Sequence, residues 1–161
     1  MKSLVLYSSQ SGNTRKLADA VYEALPEVKE KYAVDNAPES LTEFDLIAVG
    51  FWFQGGRPDR KTADFLPRLR DRNVFLFATH GAAKESVQAQ QGMAAAKALA
   101  SGANVVGTYS CQGEVNPKVI KTAAAKPEPP PWLPDAPEAK GHPDENDLAE
   151  LRHLLAAIVI P

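Results

Sequence analysis

The chain has 161 residues, a formal net charge of −2 and 44% hydrophobic residues, enough for one domain with its own core and too apolar for a disordered chain. Charge this close to neutral argues by itself neither for nor against nucleic acid or a membrane surface. No apolar stretch approaches a membrane span, and the single cysteine, Cys111, allows no disulfide within the chain and fits a reducing compartment. A cytoplasmic protein with no nucleic-acid and no membrane partner is expected.

In chain order, "MKSLVLYSSQ" begins like an export signal but loses its apolar run after Tyr7, so 3–9 reads as a first strand. A helix over 14–25 follows, with Leu17, Ala20, Val21 and Leu25 on one face. "KYAV" (31–34) is a second strand, and 35–45 supports only a short helix. "LIAVGFW" (46–52) is a third strand. Behind the turn "GGRPD", Ala63, Leu66 and Leu69 mark a helix over 60–70. "NVFLFATH" (73–80) is a fourth strand, followed by good helix formers over 86–100. "NVVGTYSC" (104–111) is a fifth strand, and Asn116-Pro117 caps a helix over 117–125. Seven of the thirteen prolines lie in 126–143, which therefore reads as a surface loop, neither helix nor central strand. Trp132 inside it needs burial on the domain or on a partner. The chain closes with an amphipathic helix over 144–159, acidic in its first turn, with Leu148, Leu151, Leu155 and Ile158 on one face.

The strand runs are nearly continuous in apolar residues rather than alternating, as in strands buried on both faces. Strand and helix alternate along the chain. The expectation is an α/β fold: a single domain, 1–161, with a parallel five-stranded sheet covered by helices on both faces.

Such sheets bind ligands beyond the carboxyl ends of their strands. After the first strand stands "SSQSGNT", running into a helix start whose free N–H groups and dipole favour an anion. Hydroxyls of Ser9, Ser11 and Thr14 and amides of Gln10 and Asn13 add donors, and Gly12 lets the backbone approach closely. The loop is not a Walker A sequence, lacks the three spaced glycines of a dinucleotide fingerprint, and carries no phosphatase cysteine–arginine pair. The same residues also make an ordinary capped turn, so position decides.

An uncharged Ser-x-Ser-Gly-x-Thr loop after strand one of this pattern resembles the flavodoxin family. That resemblance covers 3–122 and implies a doubly wound sheet of order 2-1-3-4-5 in a three-layer sandwich. It implies FMN as cofactor, with its phosphate at Ser9 to Thr14, and electron transfer between redox enzymes as function. It further implies an aromatic against the flavin ring in "GFWFQGG", where Phe51, Trp52 and Phe53 are candidates. Trp52 points opposite to Phe51 and Phe53 by strand alternation. Gln54, Gly55 and Gly56 follow as a flexible loop, and a glycine there presents backbone to the flavin N5. In "ATHGA", family members often carry a tyrosine and acidic residues; here Thr79, His80, Gly81 and Ala82 stand instead. The N–H groups of Gly81 and Ala82 would meet the pyrimidine edge, with His80 over the ring or near its N1. Phrases such as Gly50-Phe51-Trp52, Cys111-Gln112-Gly113-Glu114-Val115 and the terminal His142 to Leu148 also resemble a flavodoxin-like subgroup, some of whose members accompany bilin-reducing enzymes.

Arg57, Arg60, Lys61, Arg68, Arg70 and Arg72 outnumber Asp59, Asp64 and Asp71. This surplus predicts a less negative low potential than in acidic members, and a redox partner protein with an acidic docking patch. Cys111 reads as a buried small hydrophobe, and His142 and His153 form no metal pair. No catalytic or metal-ligating residue is expected. An electron carrier is the leading expectation, ahead of a small NAD(P)H-dependent flavin reductase and a flavin-free interaction module using the proline-rich segment.

Overall fold

The central runs, within Ser3–Tyr7, Leu46–Gln54 and Asn73–His80, become parallel strands buried on both faces along most of their length, and Lys29–Ala33 and Asn104–Gln112, half-buried or exposed over most of their length, pair as the two edges. The computed structural model, which describes residues 1–161, places them as β1 (Ser3–Tyr7), β2 (Lys29–Ala33), β3 (Leu46–Gln54), β5 (Asn73–His80) and β6 (Asn104–Gln112), in the order β2-β1-β3-β5-β6. Counting only these five strands, that is the doubly wound order 2-1-3-4-5. The additional strand, β4 (Arg57–Pro58), pairs antiparallel with the end of β3, Phe53 opposite Pro58 and Gln54 opposite Arg57. A tight Gly55-Gly56 turn joins them, both glycines at positive φ, 62° and 76°. The expected flexible loop is thus a hairpin, in a turn where glycine is favoured at both central positions.

One face of the sheet packs Leu6, Ile47, Val49, Phe51 and Leu76 against Phe65, Leu66 and Leu69 and against Met93 and Ala96. These come from α2 (Arg60–Phe65) with the 3₁₀ turn Leu66–Leu69, and from α3 (Val87–Leu99). The other face packs Val5, Ala48, Phe75 and Phe77 against Leu17 and Val21 of α1 (Asn13–Ala24) and Leu148, Leu151 and Leu155 of α5 (Glu145–Ala156). α5 starts at a capping box between Asp144 and Asp147, which satisfies two otherwise free N–H groups.

Two expectations need correction. The helix over 60–70 is α-helical only to Phe65, and Pro67 lies in the tighter turn that follows. The segment 126–143 contains a 3₁₀ helix, Leu133–Ala139, with Pro134 in its first turn and Pro137 inside. Proline excludes an interior α-helical hydrogen bond, but a short 3₁₀ run tolerates it where few such bonds are made. A further helix, α4 (Pro117–Ala124), is capped by the Asn116 side chain and buries only Ala123. No helix is long and apolar enough to cross a membrane.

Candidate functional site

The carboxyl ends of β1, β3, β5 and β6 open on a cleft of about 590 Å³, within the usual range for a small-molecule site. Its first wall is the loop between β1 and α1. Gln10, Ser11, Asn13 and Thr14 line it. Gly12 is the N-cap of α1 in the left-handed region, φ 93°, and no side chain caps this helix. The first N–H groups of α1 are therefore left for a ligand, as an anion site requires.

The polar side chains of this loop mostly shape it rather than face a ligand, which corrects the expectation that all were free donors. The Ser9 hydroxyl accepts the Gly12 N–H at 3.1 Å. The Thr14 hydroxyl is buried, 3.3 Å from the Phe51 carbonyl and 3.0 Å from the Thr79 hydroxyl. The Asn13 amide donates to the Glu114 carbonyl at 2.9 Å, which ties α1 to the loop after β6. Gln10 and Ser11 remain exposed at the mouth.

The second wall is aromatic. Phe51 drops out as a ring partner: it is fully buried in the core, because the strand end is still covered at that point. Phe53 lines the cleft but is seated. Its ring stacks on His80 at 5.0 Å and presses on Gly92 of α3, where a Cβ would come within 2.3 Å of it. A glycine in mid-helix costs about 1 kcal/mol against alanine, and here it makes the dent that Phe53 fills. Trp52, half-buried and pointing to the other side, is the aromatic left open to the cleft. Gln54 is exposed outside the lining, its side-chain oxygen 3.4 Å from the Arg60 N–H, while Gly55 and Gly56 lie at the rim.

Asp59 underlies both walls, although its place in a charged stretch of sequence suggests a surface residue. It is 2% exposed. Its carboxylate accepts from the Ser8 hydroxyl at 2.7 Å and the Thr62 hydroxyl at 3.0 Å, with longer bonds from the Thr62 and Trp52 N–H groups. One buried carboxylate thus joins the foot of the loop between β1 and α1 to the Trp52 strand end. The available signal is that of an N-cap, Asp59 followed three residues later by Thr62 ahead of an apolar run.

At the carboxyl end of β5, His80 is buried, and its Nδ1 lies 2.9 Å from the Ala82 carbonyl. A carbonyl only accepts, so Nδ1 carries the proton and Nε2 keeps a lone pair. That Nε2 is buried without a partner. Burial holds the imidazole neutral, its pKa lowered to about 4. A neutral acceptor suits a ring N–H and does not suit the flavin N1, itself an acceptor; the expected contact of His80 with N1 is corrected on that ground. Thr79, Gly81 and Ala82 also line the cleft.

The basic residues of 57–72 lie outside this cleft, whose one charged lining residue is Glu114. Lys61 pairs with Asp35, Arg60 approaches Asp64, and Arg68 donates to the carbonyls of Pro38 and Glu39. They serve the outer surface, so any direct effect on a ligand's potential is reduced by distance and solvent. Cys111 is fully buried, and burial raises its thiol pKa to about 12, which leaves it inert. The remaining lining comes from Gln88 and Gln91, from Gly113 to Asn116, from Val119 and from Pro130 to Trp132. No motif singles out Gln88, Gln91, Val119 or Pro130, and nothing in the phrase at Gly113 to Val115 says that it meets them, because these positions converge from distant parts of the chain.

Residues 4–156 match the family model described as Flavodoxin domain. Two proteins named flavodoxin-like domain-containing protein BilS are similar to this chain. The one from Clostridioides difficile (strain CD3) is 26% identical over 161 residues, covering 93% of this chain and 92% of the relative. The one from Clostridium symbiosum (strain WAL-14163) is 25% identical over 183 residues, covering 99% and 96%. Among solved structures, a flavoprotein in complex with FMN from Lactobacillus acidophilus NCFM superposes with TM-score 0.56 at 20% identity, over 68% of this chain and 92% of that one. The two-electron reduced flavodoxin of Megasphaera elsdenii gives 0.58 at 21%, over 85% and 96%. At these identities the solved structures establish the fold.

Proposed function

The chain belongs to the flavodoxin-domain family, and on that premise we propose that its cleft holds FMN and that the protein carries electrons between redox enzymes. One observation carries this reading: a single cleft joins the uncapped start of α1 to an aromatic, nearly uncharged wall. A phosphate suits the first and a flat ring the second.

The residues present fit the group. The N–H groups at the start of α1 would hold the phosphate, with Ser11 and Gln10 at the mouth. Trp52 would lie against the ring, and the Nε2 of His80, buried and otherwise without a partner, would accept from a ring N–H. Phe53 and Gly92 keep His80 in place and help to exclude water. Bound there, FMN would supply one- and two-electron redox chemistry. The same reading carries a cytoplasmic location and a partner whose acidic patch meets the exposed Arg57, Arg60 and Arg70.

Titration with FMN and riboflavin tests the site. A phosphate cradle predicts much tighter binding of FMN, and equal affinity would sink the assignment. Steady-state NAD(P)H oxidation by the pure, loaded protein would favour a reductase over a carrier.

A further inference from the structure

We propose that the proline-rich segment is a working wall of the flavin site, and that Trp132 covers the ring face lying toward Gly81. This rests on the FMN reading above and assigns a residue to it from outside the three expected loops.

Trp132 is half-buried and lines the cleft together with Pro130 and Pro131. Its indole lies on the backbone of Gly81: a Cβ there would come within 3.2 Å of Trp132 Cε3 and 3.1 Å of Val115 Cγ2. Glycine at 81 thus lets the indole pack closely on the backbone, where a Cβ would crowd it by a few tenths of an ångström. The loop after β5 has only Gly81, Ala82 and Ala83 at this point, so it offers no flat apolar surface of its own. The segment supplies one and is fastened to do so. The Asp135 carboxylate accepts the Ala83 N–H at 2.9 Å, and Gln112 Nε2 donates to the Asp135 carbonyl at 3.4 Å. Two turns tie the Trp132 backbone to that anchored residue, Leu133 N–H to the Pro130 carbonyl and Asp135 N–H to the Trp132 carbonyl. Consecutive prolines before it restrict the backbone, so little entropy remains to be lost when a ring enters.

The test uses the phosphate as an internal reference. FMN and riboflavin share the ring and differ in the phosphate, so loss of a ring contact weakens both by one factor. Titration of Trp132→Ala is expected to show about tenfold or greater loss for both ligands, with the FMN-to-riboflavin ratio of the wild type kept. Trp132→Phe should recover most of that loss, and Asp135→Ala, which releases the carboxylate anchor and leaves the one from Gln112, should show a smaller loss in the same proportion. Wild-type affinity in Trp132→Ala overturns the proposal and leaves the FMN reading standing. A loss in Trp132→Ala that Phe fails to recover, with a lowered melting temperature of the free protein, also overturns it, since the role is then packing. Failure of the wild type to bind either flavin overturns both readings.

Discussion

The two ends of the cleft are built differently. The phosphate side is local: Ser9, Gly12 and the start of α1 lie within a few residues and hold one another through short-range bonds. The ring side is assembled from Trp52, His80, Gly92 and Trp132, which span eighty residues of chain and meet only when the sheet, α3 and the proline-rich segment are in place. A local cradle can be recognised as a motif. A wall assembled from distant segments is seen only through packing.

Asp59 belongs to both sides and offers the largest test. Asp59→Ala removes an acceptor for Ser8, Thr62 and Trp52 and leaves two buried hydroxyls without it. The expected cost is roughly 3–5 kcal/mol, a fall in melting temperature on the order of 10 °C for a chain of this size. Affinity for FMN and riboflavin should fall together, because Trp52 and the Ser8 end of the loop both lose their tie. An unchanged melting temperature would show that the two sides stand independently.

This residue also marks where reading the sequence stops. The parallel sheet, both helical layers and the loop before α1 follow from apolar runs, helical spacing and one polar turn, since those signals are local, whereas the strand order follows only from the flavodoxin resemblance. Asp59 carries a charge, and charge on a polar stretch reads as surface unless its buried hydroxyl partners are known. Phe51, Trp52 and Phe53 are adjacent and equally aromatic; only the positions of the core and of Gly92 separate the buried Phe51, the seated Phe53 and the open Trp52. Trp132 demands burial, but nothing local to 126–143 says that Gly81 receives it.

On the ring side, His80 gives a second measurement of comparable size. Its folded pKa is lowered to about 4 by burial, against an ordinary 6.5. The unfolded chain therefore takes up a proton below about pH 6.5 that the folded chain refuses until about pH 4. Stability from this group is complete above 6.5 and is lost as pH falls through that window, by roughly 3 kcal/mol at its end. Other groups titrate there too, so the readout is a difference: urea midpoints of the wild type and of His80→Gln between about pH 7.5 and 4. The variant should lose less stability over that range. Parallel profiles would mean that His80 is not held neutral.

The smallest effect is expected on the phosphate side, where the bonds are few and exposed. Gly12 has φ 93° and nothing within 4 Å of where a Cβ would stand, so Gly12→Ala meets no clash and pays only for its backbone angle, about 1–2 kcal/mol. The chain can relieve that strain by turning residue 12 toward ordinary angles. Doing so swings its N–H from the Ser9 hydroxyl and reorients the first turn of α1. The ring side has no part in that movement. FMN affinity should therefore fall while riboflavin affinity holds, the opposite of the even loss expected from Trp132→Ala. If Gly12→Ala weakens both flavins equally, the loop acts on the ring as well, and the division between a local cradle and an assembled wall does not hold.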